Sequence, residues 1–237
     1  MNPEDPKPKE IELSHVGYAI FDWDGTLVES MQSYADAFVQ VMGQEFAGVD
    51  DRKVREYYLS RPSGVLSNQF KEAAQMFAQK DVAETVDLES KMWNAILDLG
   101  PPTVIEGAPE ALKHLKEKGL KIAVWSGTRT DVIGKKLEQT GLDQYVDFFI
   151  GNVPGSETLI KGPGLFAKIA EHFQITIEEL QQQSLVLGDG TNDMLAGQTA
   201  GAAVLIGVKG LKSKEQLTTA GANLVISGIS NLSKLFS

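Results

Sequence analysis

The feature that most constrains this chain is an alternation of short apolar runs with helical patterns, which begins near residue 104 and continues to the C-terminus. Runs at 120–125, 184–187 and 203–208, with weaker ones at 145–150 and 223–226, are mostly apolar on both faces. Strands of a parallel sheet covered by helices on each side must read this way. Between them, Ala108, Ala111, Leu112 and Leu115 stand at i, i+3, i+4 and i+7, with Pro109 near the expected helix start and Gly119 beyond its end. Leu165, Phe166, Ile169 and Phe173 form the next stripe, and Thr176 with Glu179 makes a capping-box signature for a short helix after it. A further strand-like run, Val-Gly-Tyr-Ala-Ile-Phe at 16–21, stands alone far upstream and leads into Asp22-Trp23-Asp24-Gly25-Thr26. The pattern predicts an α/β fold: a doubly wound, mainly parallel, Rossmann-like sheet with its site at the carboxyl ends of the strands.

Residues 30–102 interrupt the alternation. Phe38, Val41 and Met42, then Leu66, Phe70, Ala73 and Phe77, then Val86, Met92, Trp93, Ile96 and Leu97 fall at helical spacings, with no convincing strand. The stretch leaves directly after the first strand and returns through Gly100-Pro101-Pro102, which cannot continue a helix. The expected organisation is a core domain from 14–29 and 103–237, with a smaller all-helical domain over 30–102. Residues 1–13, with Pro3, Pro6 and Pro8 among charges, are expected to be a disordered tail.

Composition excludes several function classes. With 22 Lys plus Arg against 32 Asp plus Glu, the formal charge of −10 is wrong for a general nucleic-acid binder, which must neutralise phosphates. The absence of cysteine removes disulfides, thiolate metal sites and a cysteine nucleophile together. No run approaches the ~18 apolar residues of a membrane helix, so a cytoplasmic protein with no membrane partner is expected.

The residues suited to chemistry sit at the expected strand ends. Asp22 and Asp24 flank Trp23, and a period of two would aim both carboxylates alike, one as nucleophile and one as proton carrier. An isolated Asp-x-Asp-Gly is more often a solvated turn, so the other strand ends decide. The run at 120–125 ends in Ser126-Gly127-Thr128, a hydroxyl and a glycine whose N–H can approach a phosphate oxygen. Lys161, in Lys161-Gly162-Pro163-Gly164, precedes a helix, where a fixed ammonium can neutralise an anion. The run at 184–187 ends in Gly188-Asp189-Gly190-Thr191-Asn192-Asp193, and its carboxylates suit Mg2+, a cation that favours hard oxygen ligands.

In this order, Asp22-Trp23-Asp24-Gly25-Thr26-Leu27, Ser126, Lys161 and Gly188-Asp189-Gly190-Thr191-Asn192-Asp193 resemble the four motifs of the haloacid dehalogenase (HAD) superfamily of phosphohydrolases, from Tyr18 to about Gly207. The helical insert is similar to the cap of the subfamily that includes phosphoglycolate phosphatase and beta-phosphoglucomutase. Lys161-Gly162-Pro163-Gly164 departs from the Lys-Pro-x-Pro common in those relatives. The resemblance implies Asp22 as a nucleophile that forms an aspartyl-phosphate. It implies Mg2+ held by Asp22, the backbone carbonyl of Asp24 and Asp189, with Asp193 acting through metal waters or orienting Lys161. Ser126, the Gly127 N–H and Lys161 would hold the phosphoryl oxygens, while Asp24 would protonate the leaving group and later activate water.

The implied activity is that of a Mg2+-dependent phosphatase of small phosphate esters, phosphoglycolate-like or sugar phosphates, acting as a monomer or homodimer. A phosphomutase of the beta-phosphoglucomutase type shares the same intermediate. Dehalogenases of the family lack the second aspartate, so Asp24 argues against that chemistry. A phospho-aspartate signalling switch requires neither Asp24 nor an insert. Within the cap, Arg52, Lys53, Arg55 and Arg61 form a cationic run; Arg61, with Ser63 in the loop 61–64, is a candidate for contacting a bound anion, against the simpler reading of a solvated helix face. His15, His114 and His172 lie outside the motifs, and Met76, Met92 and Trp93 are read as packing.

Overall fold

The structure, a computed structural model, describes residues 13–61, 66–153, 156 and 158–236. Apart from Leu13, the expected tail lies outside the described residues, as do Pro62, Ser63 and Gly64. Strands β1 (Tyr18–Asp22) and β2 (Val28–Glu29) precede helices α1 (Met31–Glu45), α2 (Asp51–Leu59), α3 (Leu66–Ala73) and α4 (Val86–Asp98). Then follow β3 (Thr103–Val104), α5 (Ala108–Glu117), β4 (Lys121–Arg129), α6 (Thr130–Thr140), β5 (Phe148–Asn152), α7 (Pro163–Phe173) and α8 (Ile177–Gln183). The chain ends with β6 (Ser184–Gly188), α9 (Thr191–Ala200), β7 (Val204–Val208), α10 (Lys214–Thr219), β8 (Leu224–Ile226) and a 3-10 turn over Ile229–Phe236. Among the described residues, no helix is long and apolar enough to cross a membrane.

Six of these strands make one parallel sheet in the order β5-β4-β1-β6-β7-β8. The doubly wound architecture read from the alternation is therefore the one observed. β1 lies inside the sheet, Tyr18 pairing with Lys121 on one side and Ser184 on the other. Strand alternation sends Phe21, Val124, Leu187 and Ile206 into one apolar layer with Leu112 and Leu115 of α5. Ile20, Trp125, Val186 and Leu205 enter the opposite layer with Phe166 and Ile169 of α7 and Met194 of α9.

Two features depart from the sequence reading. β4 runs on to Arg129, with a register irregularity between Ser126 and Arg129. Its last residues read as a polar loop in sequence, yet Ser126 and Thr128 are buried and hydrogen-bonded. The second departure is a two-residue antiparallel ribbon in which Val28 pairs with Val104 and Glu29 with Thr103. Strands this short leave no periodic signature, and this one draws together the two chain crossings into the insert.

The insert has an apolar centre of its own, built from Phe38, Met42, Val54, Tyr57, Tyr58, Phe70, Met92 and Ile96. Phe38 packs against Phe70 and Tyr58 with ring centroids 4.5 and 4.8 Å apart. Asp50 caps α2 by accepting from the N–H groups of Arg52 and Lys53. Met92 and Trp93 pack as expected, but Met76 does not: it lies in the π turn after α3 and is 56% exposed. The insert meets the sheet domain's helices at α6, where Val132 joins the insert's centre.

Also from α6, the buried Lys136 donates to the carbonyls of Leu99 and Gly100, at 2.5 and 3.1 Å, and to Gln139 Oε1 at 3.1 Å. All three ammonium protons are thus engaged, two of them on the segment by which the chain leaves the insert. Lys136→Met retains most of the stem and removes these bonds. It should lower stability by about 1–2 kcal/mol in denaturant unfolding; an unchanged midpoint would show that the clamp contributes nothing.

Candidate active site

Asp22 is the last residue of β1, and its carboxylate meets Lys161, whose Nζ lies 2.5 Å from Asp22 Oδ1 and 2.5 Å from Asp193 Oδ1. Each of these three side chains is nearly buried. Lys161 is aimed by its loop: its backbone N–H donates to Asn152 Oδ1 at the end of β5 at 2.9 Å, and its ammonium lies 5.6 Å from the centroid of the buried Trp125 ring. Gly162 then takes φ +133°, a conformation closed to proline, and Pro163 opens α7. The loop therefore cannot have the shape a Lys-Pro-x-Pro sequence would give, although the lysine is delivered to the carboxylates.

Asp193 stands in the first turn of α9 and accepts the Gly190 N–H through Oδ2 at 2.7 Å, which ties the cluster to a helix N-terminus. Asp189 follows β6 and approaches the Asp22–Thr26 turn closely. A Cβ on Gly25 would lie 2.6 Å from Asp189 Oδ2, and Gly25 itself has φ +78°. Only glycine fits there on both counts.

Asp22, Asp189 and Asp193 each place a carboxylate oxygen within 4.8 Å of the others. Burial, reinforced by the charge of Asp193, holds Asp22 well above the usual carboxylate range despite the opposing ammonium of Lys161. Burial and Asp193 likewise push Asp189 up to about 7. Burial works against the charge on Lys161, but Asp193 and Asp22 outweigh it and raise its proton affinity. One ammonium thus leaves two negative charges uncompensated when all three acids ionise. Hard oxygens in this arrangement fit a divalent cation of the Mg2+ type.

Asp24 has different surroundings. β1 ends at Asp22, so Asp24 lies past the strand and the expected period of two does not govern it. Its carboxylate accepts from Ser30 Oγ at 2.5 Å, Ser126 Oγ at 3.0 Å and Thr128 Oγ1 at 2.8 Å. Asp24 contributes no carboxylate oxygen to the Asp22, Asp189 and Asp193 group, which leaves its backbone carbonyl as the atom through which the metal role expected of it would act. Ser126 is fully buried, directed at Asp24 and accepting the Thr128 N–H, while Gly127 beside it is exposed. Arg61 is engaged within the insert: its guanidinium lies 4.2 Å from the Tyr57 ring centroid and its Nε 3.5 Å from Glu72 Oε2.

The structure thus brings together Asp22, Lys161, Asp189 and Asp193, and sets Asp24 with Ser126 beside them. Sequence reasoning missed Ser30, Tyr34 and Thr128 around Asp24. Thr128 had a usable signal, because it lies two residues from Ser126 and so shares its face of the strand. Ser30 and Tyr34 stand four apart at the start of α1, a spacing that places them on one helix face but says nothing of what that face meets.

Residues 17–201 match the family described as haloacid dehalogenase-like hydrolase. The chain is 26% identical over 227 residues to a phosphoglycolate phosphatase of Vibrio parahaemolyticus, covering 90% of this chain and 92% of that protein. It is 25% identical over 187 residues to the pyrophosphatase PpaX of Halalkalibacterium halodurans, covering 78% and 80%. Among solved structures, a predicted phosphoglycolate phosphatase from Haemophilus somnus superposes with a TM-score of 0.73 at 19% identity, over 95% of this chain and 100% of that one. CbbY from Rhodobacter sphaeroides in complex with phosphate gives 0.71 at 17% identity, over 92% and 96%.

The raised carboxyls give the metal-free protein a signed pH dependence. A carboxyl with a raised proton affinity in the fold keeps protons that the unfolded chain has already released, so stability falls as pH rises between the two values. Metal-free protein should lose melting temperature as pH rises from about 4 to about 7. Asp189→Asn removes part of this loss and Mg2+, by favouring the ionised form, another part. A melting-temperature difference between the native chain and Asp189→Asn that stays constant across this range would refute the assignment.

Proposed function

The chain belongs to the haloacid dehalogenase-like hydrolases, and from that premise we propose that it is a Mg2+-dependent phosphatase of small phosphate esters, phosphoglycolate-like or sugar phosphates. The observation that carries this reading is the division between its two neighbouring aspartates. Asp22 lies against Lys161 among acidic groups, whereas Asp24 is enclosed by three hydroxyls. Environments this different suit a nucleophile and a proton carrier.

In this reading an Asp22 oxygen attacks phosphorus, forming the aspartyl-phosphate, as the bond to the leaving oxygen breaks and Asp24 gives that oxygen its proton. Asp24 then takes a proton from water, which attacks the phosphorus, releases inorganic phosphate and restores Asp22. A carboxylate approaching a phosphate ester meets like charge. Lys161 offsets part of it from its seat between Asp22 and Asp193, while the exposed Gly127 N–H at the end of β4 holds a phosphoryl oxygen; Ser126, whose proton goes to Asp24, supports that loop from beneath. Asp22, Asp189 and the Asp24 carbonyl, with Asp193 beside them, would hold a Mg2+ ion, which would supply the remaining charge neutralisation when bound. Asp193 both orients Lys161 and is itself oriented by the first turn of α9.

The insert at 30–102 serves as the cap over a core of 14–29 and 103–237. The paired crossings at Val28–Glu29 and Thr103–Val104 are where it would turn, admitting substrate and then excluding water. The relatives named phosphoglycolate phosphatase and pyrophosphatase support phosphoryl transfer and indicate where a substrate panel should begin.

The decisive experiment measures phosphate release from 2-phosphoglycolate, hexose phosphates, pyrophosphate and p-nitrophenyl phosphate, with Mg2+ or with chelator. Turnover should require Mg2+ and fall roughly a thousandfold or more in Asp22→Asn. Activity that survives either Asp22→Asn or chelation would overturn the proposal.

A further inference from the structure

The hydroxyl shell of Asp24 extends one residue further than the carboxylate itself requires. Thr128 Oγ1 has a single proton, and its 2.8 Å bond to Asp24 Oδ2 uses it. In the 3.1 Å contact between the Tyr34 and Thr128 hydroxyls, Tyr34 is therefore the donor. Donors run in one direction, from Tyr34 to Thr128 to Asp24. Both hydroxyls are out of solvent, Tyr34 being 8% exposed and Thr128 3%.

The two residues come from different parts of the fold. Tyr34 is on α1 of the insert and Thr128 is on β4 of the sheet. The Tyr34 ring is held edge-on against Trp93 of α4, with centroids 6.0 Å apart and planes at 87°. The phenol is thus fixed by the insert's own packing and delivers its proton across the seam.

We propose that Tyr34 is a positioning residue for the reaction: through Thr128 it fixes the orientation of the Asp24 carboxylate, keeping it out of the Asp22, Asp189 and Asp193 cluster and available to the leaving oxygen. The inference rests on the proton-carrying role proposed above for Asp24. A carboxylate near an ammonium and a bound cation is drawn toward them, and fixed hydroxyl donors on its other side oppose that pull. Ser126 and Ser30 provide two such donors. Thr128 provides the third, and its hydroxyl in turn meets that of Tyr34.

Leaving-group dependence tests this. The ratio kcat/KM reports steps up to departure of the leaving group, where an alkoxide needs a proton and p-nitrophenolate does not. Tyr34→Phe keeps the ring and its contact with Trp93 while removing the donor. Its kcat/KM on an alkyl phosphate should fall roughly 3- to 30-fold, with p-nitrophenyl phosphate changed less than about twofold. Thr128→Val should show the same selectivity, Thr128→Ser should restore the alkyl ester, and Tyr34→Phe combined with Thr128→Val should be no worse than Thr128→Val alone. Equal losses on both esters, or additive losses in the double variant, would show that Tyr34 acts through packing and overturn the inference. Asp24→Asn separates the two levels of the argument. Selectivity in Asp24→Asn without selectivity in Tyr34→Phe defeats only the positioning role, whereas no selectivity in Asp24→Asn defeats the acid role beneath it.

Discussion

Three segments far apart in the chain meet on one ammonium. Lys161 joins the end of β1 at Asp22 to the first turn of α9 at Asp193, from a loop that hangs between β5 and α7. Desolvating these groups is unfavourable, and their mutual attraction compensates only in a fixed geometry. The rest of the fold can be read as the apparatus for that geometry. The parallel sheet places the carboxyl ends of β1, β4, β5 and β6 along one edge, Trp125 and Phe166 fill the layer beneath the lysine, and Gly25 leaves the gap in which Asp189 approaches. An ammonium without its two carboxylates, or the reverse, would leave an uncompensated charge where water hardly reaches.

The second organising contrast is between Asp22 and Asp24. They are two residues apart, yet one is surrounded by charge and the other by hydroxyl groups. Because β1 stops at Asp22, the chain turns at once and carries Asp24 toward Ser126 and Thr128 on the neighbouring strand and Ser30 at the start of the insert. Chemical identity is the same in both cases. What differs is the set of neighbours that the turn allows each side chain to reach, and that depends on backbone geometry rather than on residue type.

Much of this was legible in the sequence. The inner strands β4, β1, β6 and β7 announced themselves because they are buried on both faces and so mostly apolar, while the edge strands β5 and β8, less buried, left weaker runs, and the helices between them carried clear stripes. Asp22, Asp189 and Asp193 were legible for a different reason: each stands where an apolar strand gives way to polar residues, whereas Lys161, a lone lysine in a loop, was legible only in the context of the other motifs. The ribbon of Val28–Glu29 and Thr103–Val104 was not, since two residues give no period. Nor was the tail of β4, whose polar residues are buried only because Asp24 receives their hydrogen bonds. Tyr34 went unread: its ring packs like an apolar side chain, and the single oxygen that reaches Thr128 depends on how the insert sits over the sheet. Arg61 read either as a contact for a bound anion or as a solvated helix-face charge, whereas Tyr57 and Glu72, on the helices either side of it, engage it within the insert.

The interior place of β1 also governs how the molecule can be assembled during synthesis. Its two partners begin at positions 121 and 184, so the strand that bears Asp22 leaves the ribosome long before either neighbour exists. What emerges next is the insert, whose helices contact one another over short sequence separations and can collapse on Phe38 and Phe70 early. For much of translation the nascent chain is thus a small helical body trailing an unpaired apolar strand, an aggregation hazard that ends only when β4 and then β6 enclose it. The residue at the centre of the proposed chemistry is made long before the strands that complete its surroundings.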